Sequence, residues 1–276
     1  MTSRFFSIFM VMGCSLIFSF DSDAELIFSA PPRETMQAGA ELYGPLAEHL
    51  SELIGEQVSY KYPKNWLQYQ RELRKGVYDI VFDGPQFISW RMANLNHQVL
   101  VKLPGSLQFV IIILTADPDV IAVNDLIGKK ICVIPPPDLA TLTAIDLFQN
   151  PVRQPVIWDV EGGYREVFDA FNRGDCRAAV LKTTFYNKVL SANERADKKI
   201  LYKSKPLPNQ AISVSQKIKK SDRIKIIRSM TLGKGKAASD PIAKRFGGEK
   251  GRPFIAANKE EYRRYTNLLE GVVFGW

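Results

Sequence analysis

Nine short runs rich in β-branched, aromatic and aliphatic residues punctuate this chain, and helical periodicity fills several of the gaps between them. The runs are Leu26–Ser29, Gln57–Tyr62, Tyr78–Phe82, Val99–Leu103, Phe109–Thr115, Lys130–Ile134, Val156–Val160, Arg177–Leu181 and Ala211–Ser215. Each has the length and composition of a strand. Leu42, Leu46, Leu50 and Leu53 fall on one helical stripe, with Ala47 and Ile54 beside it, and Gly55 supplies a stop. Tyr164, Val167, Phe168 and Phe171 make a second stripe that Gly174 ends. Strand and helix in alternation imply an α/β fold with mostly parallel sheets flanked by helices. Phe109–Leu114 is almost wholly apolar, so it reads as a fully buried strand that passes from one part of the fold to another. A domain change is expected near residue 110.

The composition agrees. Of 276 residues, 46% are hydrophobic and 24% charged, which excludes a disordered, collagen-like or coiled-coil chain and leaves ample material for one large domain or two smaller ones. The net charge of +8 is uneven: residues 1–180 carry 15 Lys and Arg against 21 Asp and Glu, and residues 181–276 carry 22 against 8. The basic residues of the last third stand singly among apolar ones and match no nucleic-acid motif, so they read as a solvated helical surface rather than a nucleic-acid interface. Two histidines argue against a His-based metal site, and three cysteines fit no zinc spacing.

The N-terminus reads as a targeting segment. Arg4 precedes an apolar run from Phe5 to Phe20, shorter than a bilayer span, and Ser22-Asp23-Ala24 offers small residues before a cut after Ala24. Residues 1–24 are therefore expected to be a secretory signal peptide, and the mature chain a periplasmic one. Val11-Met12-Gly13-Cys14 resembles a lipobox, but the apolar Leu16-Ile17-Phe18 after it is unlike a polar lipoprotein tether. Export would put Cys132 and Cys176, each at the start of an expected strand, in an oxidising compartment. They pair if those strands are neighbours and stay as buried thiols if not.

No catalytic motif is present: no Gly-x-Ser-x-Gly, no phosphate loop, no His-Glu-x-x-His. Gly233-Lys234-Gly235-Lys236 lacks the strand a phosphate loop needs and reads as a surface turn. Asp79 and Asp83 could pair as acid and base, although Asp79 equally suits a structural acceptor. What an α/β chain does provide is a set of strand-to-helix junctions, where ligands bind beyond the carboxyl ends of strands. Four stand out: Ser29–Gln37, Asp83–Phe87, Pro135–Thr143 and Glu161–Tyr164.

Segments in this order resemble the periplasmic phosphate, phosphite and phosphonate-binding proteins of ABC importers. Tyr43-Gly44-Pro45-Leu46 with His49-Leu50 is similar to that family's Tyr-x-Pro-Leu…Tyr-Leu helix. Gly76–Ile80 with Gly84-Pro85-Gln86-Phe87 is similar to its Gly-x-x-Asp-Ile…Gly-Pro-x-Tyr segment, and Asn124–Lys130 to its Asp-Leu-x-Gly-Lys lead-in. Phe168–Ala178 resembles its Val-x-x-Gly-x-x-Asp-Ala segment, and Lys205-Pro206-Leu207-Pro208 its late Ile-Pro turn. There are departures. The family's Ser-Thr-Ser-Gly turn is replaced by Pro135-Pro136-Pro137-Asp138-Leu139-Ala140-Thr141-Leu142-Thr143, its cleft Tyr by Phe87 and its His by Tyr164. Asp138 also puts a negative charge beside the expected anion pocket.

The resemblance implies a two-lobed type 2 periplasmic-binding-protein fold: lobe one over 25–107, completed by about 217–276, and lobe two over 108–216. It implies no enzyme activity, no cofactor and no metal. Tyr43 and Phe87 would wall the cleft from lobe one, with Thr141, Thr143, Tyr164 and Lys182 donating from lobe two. The ligand would be a small oxyanion, phosphonate- or phosphate-like, captured by hinge closure of a monomer and delivered to an ABC permease. The alternative is a periplasmic sensor or accessory module of the same fold, reading out through a membrane sensor.

Overall fold

The structure, a computed structural model, describes residues 25–247 and 252–269. The expected signal peptide, Cys14 and the chain after Leu269 lie outside the described residues. Strand β1 (Leu26–Ser29) leads to helix α1 (Met36–Ile54), β2 (Val58–Tyr60), α2 (Trp66–Arg74), β3 (Ile80–Asp83), α3 (Pro85–Asn94) and β4 (Gln98–Lys102). The two-residue β5 (Ser106–Leu107) precedes β6 (Phe109–Leu114). Then come β7 (Lys130–Val133), α4 (Leu139–Ile145), β8 (Val156–Asp159), α5 (Tyr164–Asn172), β9 (Ala178–Lys182), α6 (Thr183–Lys188), α7 (Ala192–Arg195) and β10 (Lys198–Lys203). The chain returns through β11 (Leu207–Pro208) and β12 (Ala211–Val214) to α8 (Lys220–Leu232), α9 (Gly235–Ala238), α10 (Asp240–Gly247) and β13 (Ile255–Ala256).

Two sheets result, one in each lobe. The first has the order β13-β4-β12-β3-β1-β2 and the second β10-β6-β9-β7-β8. The segments that join the lobes run side by side: β5 and β11 pair antiparallel, with Leu207 opposite Leu107. The sheets are mixed where sequence periodicity suggests mostly parallel ones. β1 runs parallel to β2 and β3, and β7 parallel to β8 and β9. By contrast, β12 opposes β3 and β4, and β6 opposes β9 and β10. The reason is topological. A strand entering from the other lobe starts at the hinge, where the strands of the βα units end, so it runs against them.

Strand β6 shows how pattern becomes core. Its odd residues Phe109, Ile111 and Ile113 join one apolar cluster with Ile131 and Val133. Its even residues Val110 and Ile112 join another, with Val167, Phe168 and Phe171 of α5. A strand covered on both faces needs apolar residues at both parities. In lobe one, the Leu stripe of α1 puts Leu46 and Leu50 on Phe28, Ile80 and Phe82. Full burial of side chains this size contributes about 1.5–3 kcal/mol each. Thr35 caps α1 by accepting from the Ala38 N–H, and Gly55 ends it at φ 74°.

Cys132 on β7 and Cys176, just before β9, form a disulfide, with Cα atoms 5.6 Å apart. The parallel pairing of β7 with β9 brings them together. Strand β10 (Lys-Lys-Ile-Leu-Tyr-Lys) is invisible to apolar patterning because it is an edge strand guarded by lysines. The expected apolar stripe near the C-terminus breaks into two 3-10 turns, Lys259–Tyr262 and Thr266–Leu268. It does not pack on lobe one alone. Tyr262 meets Ile88, Val99 and Ala211 there, and Leu269 meets Tyr69 and Phe87, whereas Tyr265 touches the lobe-two core.

Candidate functional site in the cleft

The flagged junctions lie at the carboxyl ends of β1, β3, β7 and β8, and a fifth follows β9. Those of β1 and β3 belong to lobe one; the others belong to lobe two. The lobes meet here. The Gln86 side-chain amide donates across the cleft to the Pro137 carbonyl at 3.2 Å, so its Oε1 is the acceptor end. Leu142 of α4 joins the lobe-one aromatic cluster of Tyr69, Phe87 and Leu269.

Between the lobes stand three cations. Arg33, in the β1–α1 junction, exerts its charge on Tyr43 and Asp83 of its own lobe and on Asp138 and Tyr164 of the other. Its guanidinium lies 5.9 Å from the Phe246 ring, and that of Arg245 lies 5.1 Å from the same ring. Arg245 pairs with Glu34 at 3.0 Å. Lys182 ends β9; burial lowers its pKa, Asp138 opposes that shift, and Arg245 adds to it. Burial pushes the Asp138 carboxyl up to about 6, against the Ala140 and Thr141 N–H groups and the charges of Arg33 and Lys182. With Glu34 committed to Arg245 and Asp138 reluctant to ionise, the cleft carries surplus positive charge.

Several buried polar atoms around this cluster have no partner: Arg33 Nη1, Tyr43 Oη, Asp83 Oδ1, Gln86 Oε1 and Thr183 Oγ1. Tyr43, Asp83 and Gln86 are at most 1% exposed. Buried polar side chains are rarely left unpaired, because each orphan costs about 1–3 kcal/mol. Three of these atoms offer hydrogens and two accept them. Behind Asp83 its other oxygen is fully held: Tyr69 Oη donates to Oδ2 at 2.5 Å, and Arg91 Nε and Nη2 donate at 3.2 Å. All three residues are buried, and burial raises the Asp83 pKa while Arg91 and Tyr69 oppose it.

The residues expected from sequence divide into two groups. Lys182 and Tyr164 stand in the cleft, both within the field of Asp138. Tyr43 lies in the lobe-one core with its ring against Phe28 and Tyr60, and only its unpaired hydroxyl is available near Arg33. Phe87 is fully buried, stacked on Trp66 and edge-on to Tyr69, and does not wall the cleft. Thr141 and Thr143 are engaged internally. Their hydroxyls donate to the carbonyls of Ile134 and Leu139, each at 2.6 Å, so neither is free for a ligand. Thr143 also borders a small, mainly apolar pocket with Phe109, Ile111 and Val180, inside lobe two. Asp79 does not pair with Asp83; it accepts from Ile27 N, Ser215 Oγ and Lys217.

Sequence reasoning passed over Arg33, Gln86, Thr183 and Arg245. Arg33 and Gln86 lie inside flagged junctions, so the segment was legible although the residue was not. Arg245 carried no signal beyond membership of the basic third.

A model of the family "ABC transporter, phosphonate, periplasmic substrate-binding protein" matches residues 28–262. The chain belongs to that family. It is accordingly a substrate-binding protein rather than an enzyme. Solved structures agree on the fold. PhnD1 from Prochlorococcus marinus in complex with methylphosphonate superposes with a TM-score of 0.62 at 12% identity, covering 88% of this chain and 96% of that one. XAC2383 from Xanthomonas citri bound to ATP gives 0.65 at 12%, covering 88% and 95%. A phosphonate-transporter binding component from Pseudomonas aeruginosa gives 0.58 at 12%, covering 89% and 85%. No curated protein sequence matches significantly.

Proposed function

We propose that this protein is an exported monomer that captures a small phosphonate- or phosphate-like oxyanion between its lobes and delivers it to an ABC permease. The observation that carries this reading is the convergence of Arg33, Lys182 and Arg245 on unpartnered buried donors, Tyr43 Oη and Thr183 Oγ1. The family's hydroxyl-rich turn is absent, and its charge-neutralising work passes to cations from both lobes. Because Arg33 comes from lobe one and Lys182 from lobe two, an anion would bridge them and draw the lobes together. Residues 25–107 with the segment after 217 would then move against residues 108–216 about β5 and β11. PhnD1 with methylphosphonate and XAC2383 with ATP, relatives in fold that hold phosphorus oxyanions, support the ligand class.

The test is a thermal-shift titration with phosphate, phosphite, methylphosphonate and 2-aminoethylphosphonate. Ligand at 100 times its dissociation constant stabilises by about 2.7 kcal/mol. Arg33→Gln and Lys182→Met are each expected to abolish the shift. A flat response of the wild type to all four compounds refutes capture and leaves the sensor or accessory reading.

A further inference from the structure

The cleft contains unmet acceptors as well as unmet donors. Asp83 Oδ1 and Gln86 Oε1 both belong to the β3–α3 junction, both residues are essentially inaccessible to water, and neither atom has a partner. Neither orphan results from a loosely placed side chain. Asp83 is fixed through Oδ2 by Tyr69 and Arg91, and Gln86 is fixed through Nε2 by Pro137 of the opposite lobe. Gln86 Oε1 also lies over Gly84, where a Cβ would approach it to 2.5 Å, so the junction has room for this placement only because residue 84 is glycine. A ligand that brings only acceptors satisfies Arg33, Tyr43 and Thr183 but leaves a carboxylate oxygen and an amide oxygen unpaired beside its own negative charge.

We infer that the ligand must itself carry a hydrogen-bond donor, and that Asp83 and Gln86 are the residues that select for it. This inference rests on the oxyanion reading of the cleft. It divides oxyanions by chemistry rather than by size or charge. A hydrogenphosphate or hydrogenphosphonate supplies a P–OH donor, and an aminoalkylphosphonate supplies N–H donors. Sulfate, fully deprotonated, supplies none. A site built to receive a donor rejects the analogue lacking it far more strongly than an apolar pocket rejects a missing methylene.

The experiment is calorimetric titration of the full protein at pH 6 with phosphate, methylphosphonate, 2-aminoethylphosphonate and sulfate. Phosphate and sulfate have similar size and geometry, and phosphate keeps a proton at that pH. Phosphate is expected to bind at least about 100-fold more tightly than sulfate. Asp83→Asn exchanges an acceptor for an amide at the same position, so it should weaken phosphate and strengthen sulfate, collapsing the ratio. A merely structural role would weaken both in proportion. Should Asp83→Asn fail to fold with Arg91 unneutralised, Gln86→Leu tests the same point and should narrow the ratio by about tenfold. Methylphosphonate against 2-aminoethylphosphonate tells an O–H donor from an N–H donor. Sulfate binding within threefold of phosphate overturns the inference and leaves oxyanion capture standing, as does a ratio unchanged in both variants. Absence of binding by all four compounds overturns the oxyanion reading and this inference with it.

Discussion

Replacing Asp138 by Asn removes a charge from the cleft while keeping a helix cap, since Asn caps as well as Asp does. In the folded protein burial pushes this carboxyl up to about 6. The groups that face it are the Ala140 and Thr141 amides, Arg33, Lys182 and Tyr164. In the unfolded chain it titrates near 3.9, as an ordinary Asp does (about that value in model peptides). A raised folded pKa means that the native state holds the proton more tightly. The contribution of this group is therefore fully present below about pH 4 and is lost as pH rises through 6. Two units of difference correspond to ~3 kcal/mol at pH 7.5. Asp138→Asn carries no such cost. Relative to wild type it is expected to gain ~3 kcal/mol between pH 4 and pH 7.5, roughly 6–12 °C in Tm for a chain of this size. Scanning calorimetry of both proteins in half-unit pH steps, without ligand, reads this directly. A difference independent of pH would refute the placement of Asp138 in a water-poor cleft. A wild type that gains on the variant as pH rises would show that Arg33 and Lys182 outweigh burial and reverse the electrostatic argument.

Three further outcomes follow from the geometry. Reducing the Cys132–Cys176 bond, which closes a separation of 44 residues, should cost about 4 kcal/mol in a urea titration, and an unchanged midpoint would refute this. Thr141→Val should destabilise by about 1–2 kcal/mol through loss of the bond to Ile134 while keeping the ligand-induced thermal shift; loss of that shift at unchanged stability would return Thr141 to the binding site. Arg91→Met strands the buried Asp83 charge and should cost about 3–5 kcal/mol, with part recovered in the Asp83→Asn, Arg91→Met double variant; additive losses in the double variant would contradict a coupled pair.

Much of the fold could be read from sequence because its signals are local. The runs at 26–29, 109–115 and 130–134 match strands within a residue or two, and Gly55 ends α1 where the Leu stripe stops. β10 was missed because an edge strand needs apolar residues on only one side, and its lysines hide them. The candidate site was legible at the level of segments. Lys182 and Tyr164 stood out because they sit where a strand ends or a helix begins. Thr141 and Thr143 misled because a hydroxyl near a helix start can cap, bond its own backbone or meet a ligand, and composition does not distinguish these uses.

The sequence by itself determined the α/β class, the order of junctions, the family and the reservoir of basic residues in the last third. These depend on periodicities of a few residues and on motifs read along the chain. Only the tertiary structure decided that Cys132 bonds Cys176, that Phe87 is core, and that Arg33, Lys182 and Arg245 share one cleft. It alone left Asp83 and Gln86 with acceptors facing no donor. The physical reason is range. Helix and strand propensities act within a turn or a pleat, whereas a binding site is a long-range meeting of side chains set by the way β5 and β11 fold one sheet against the other.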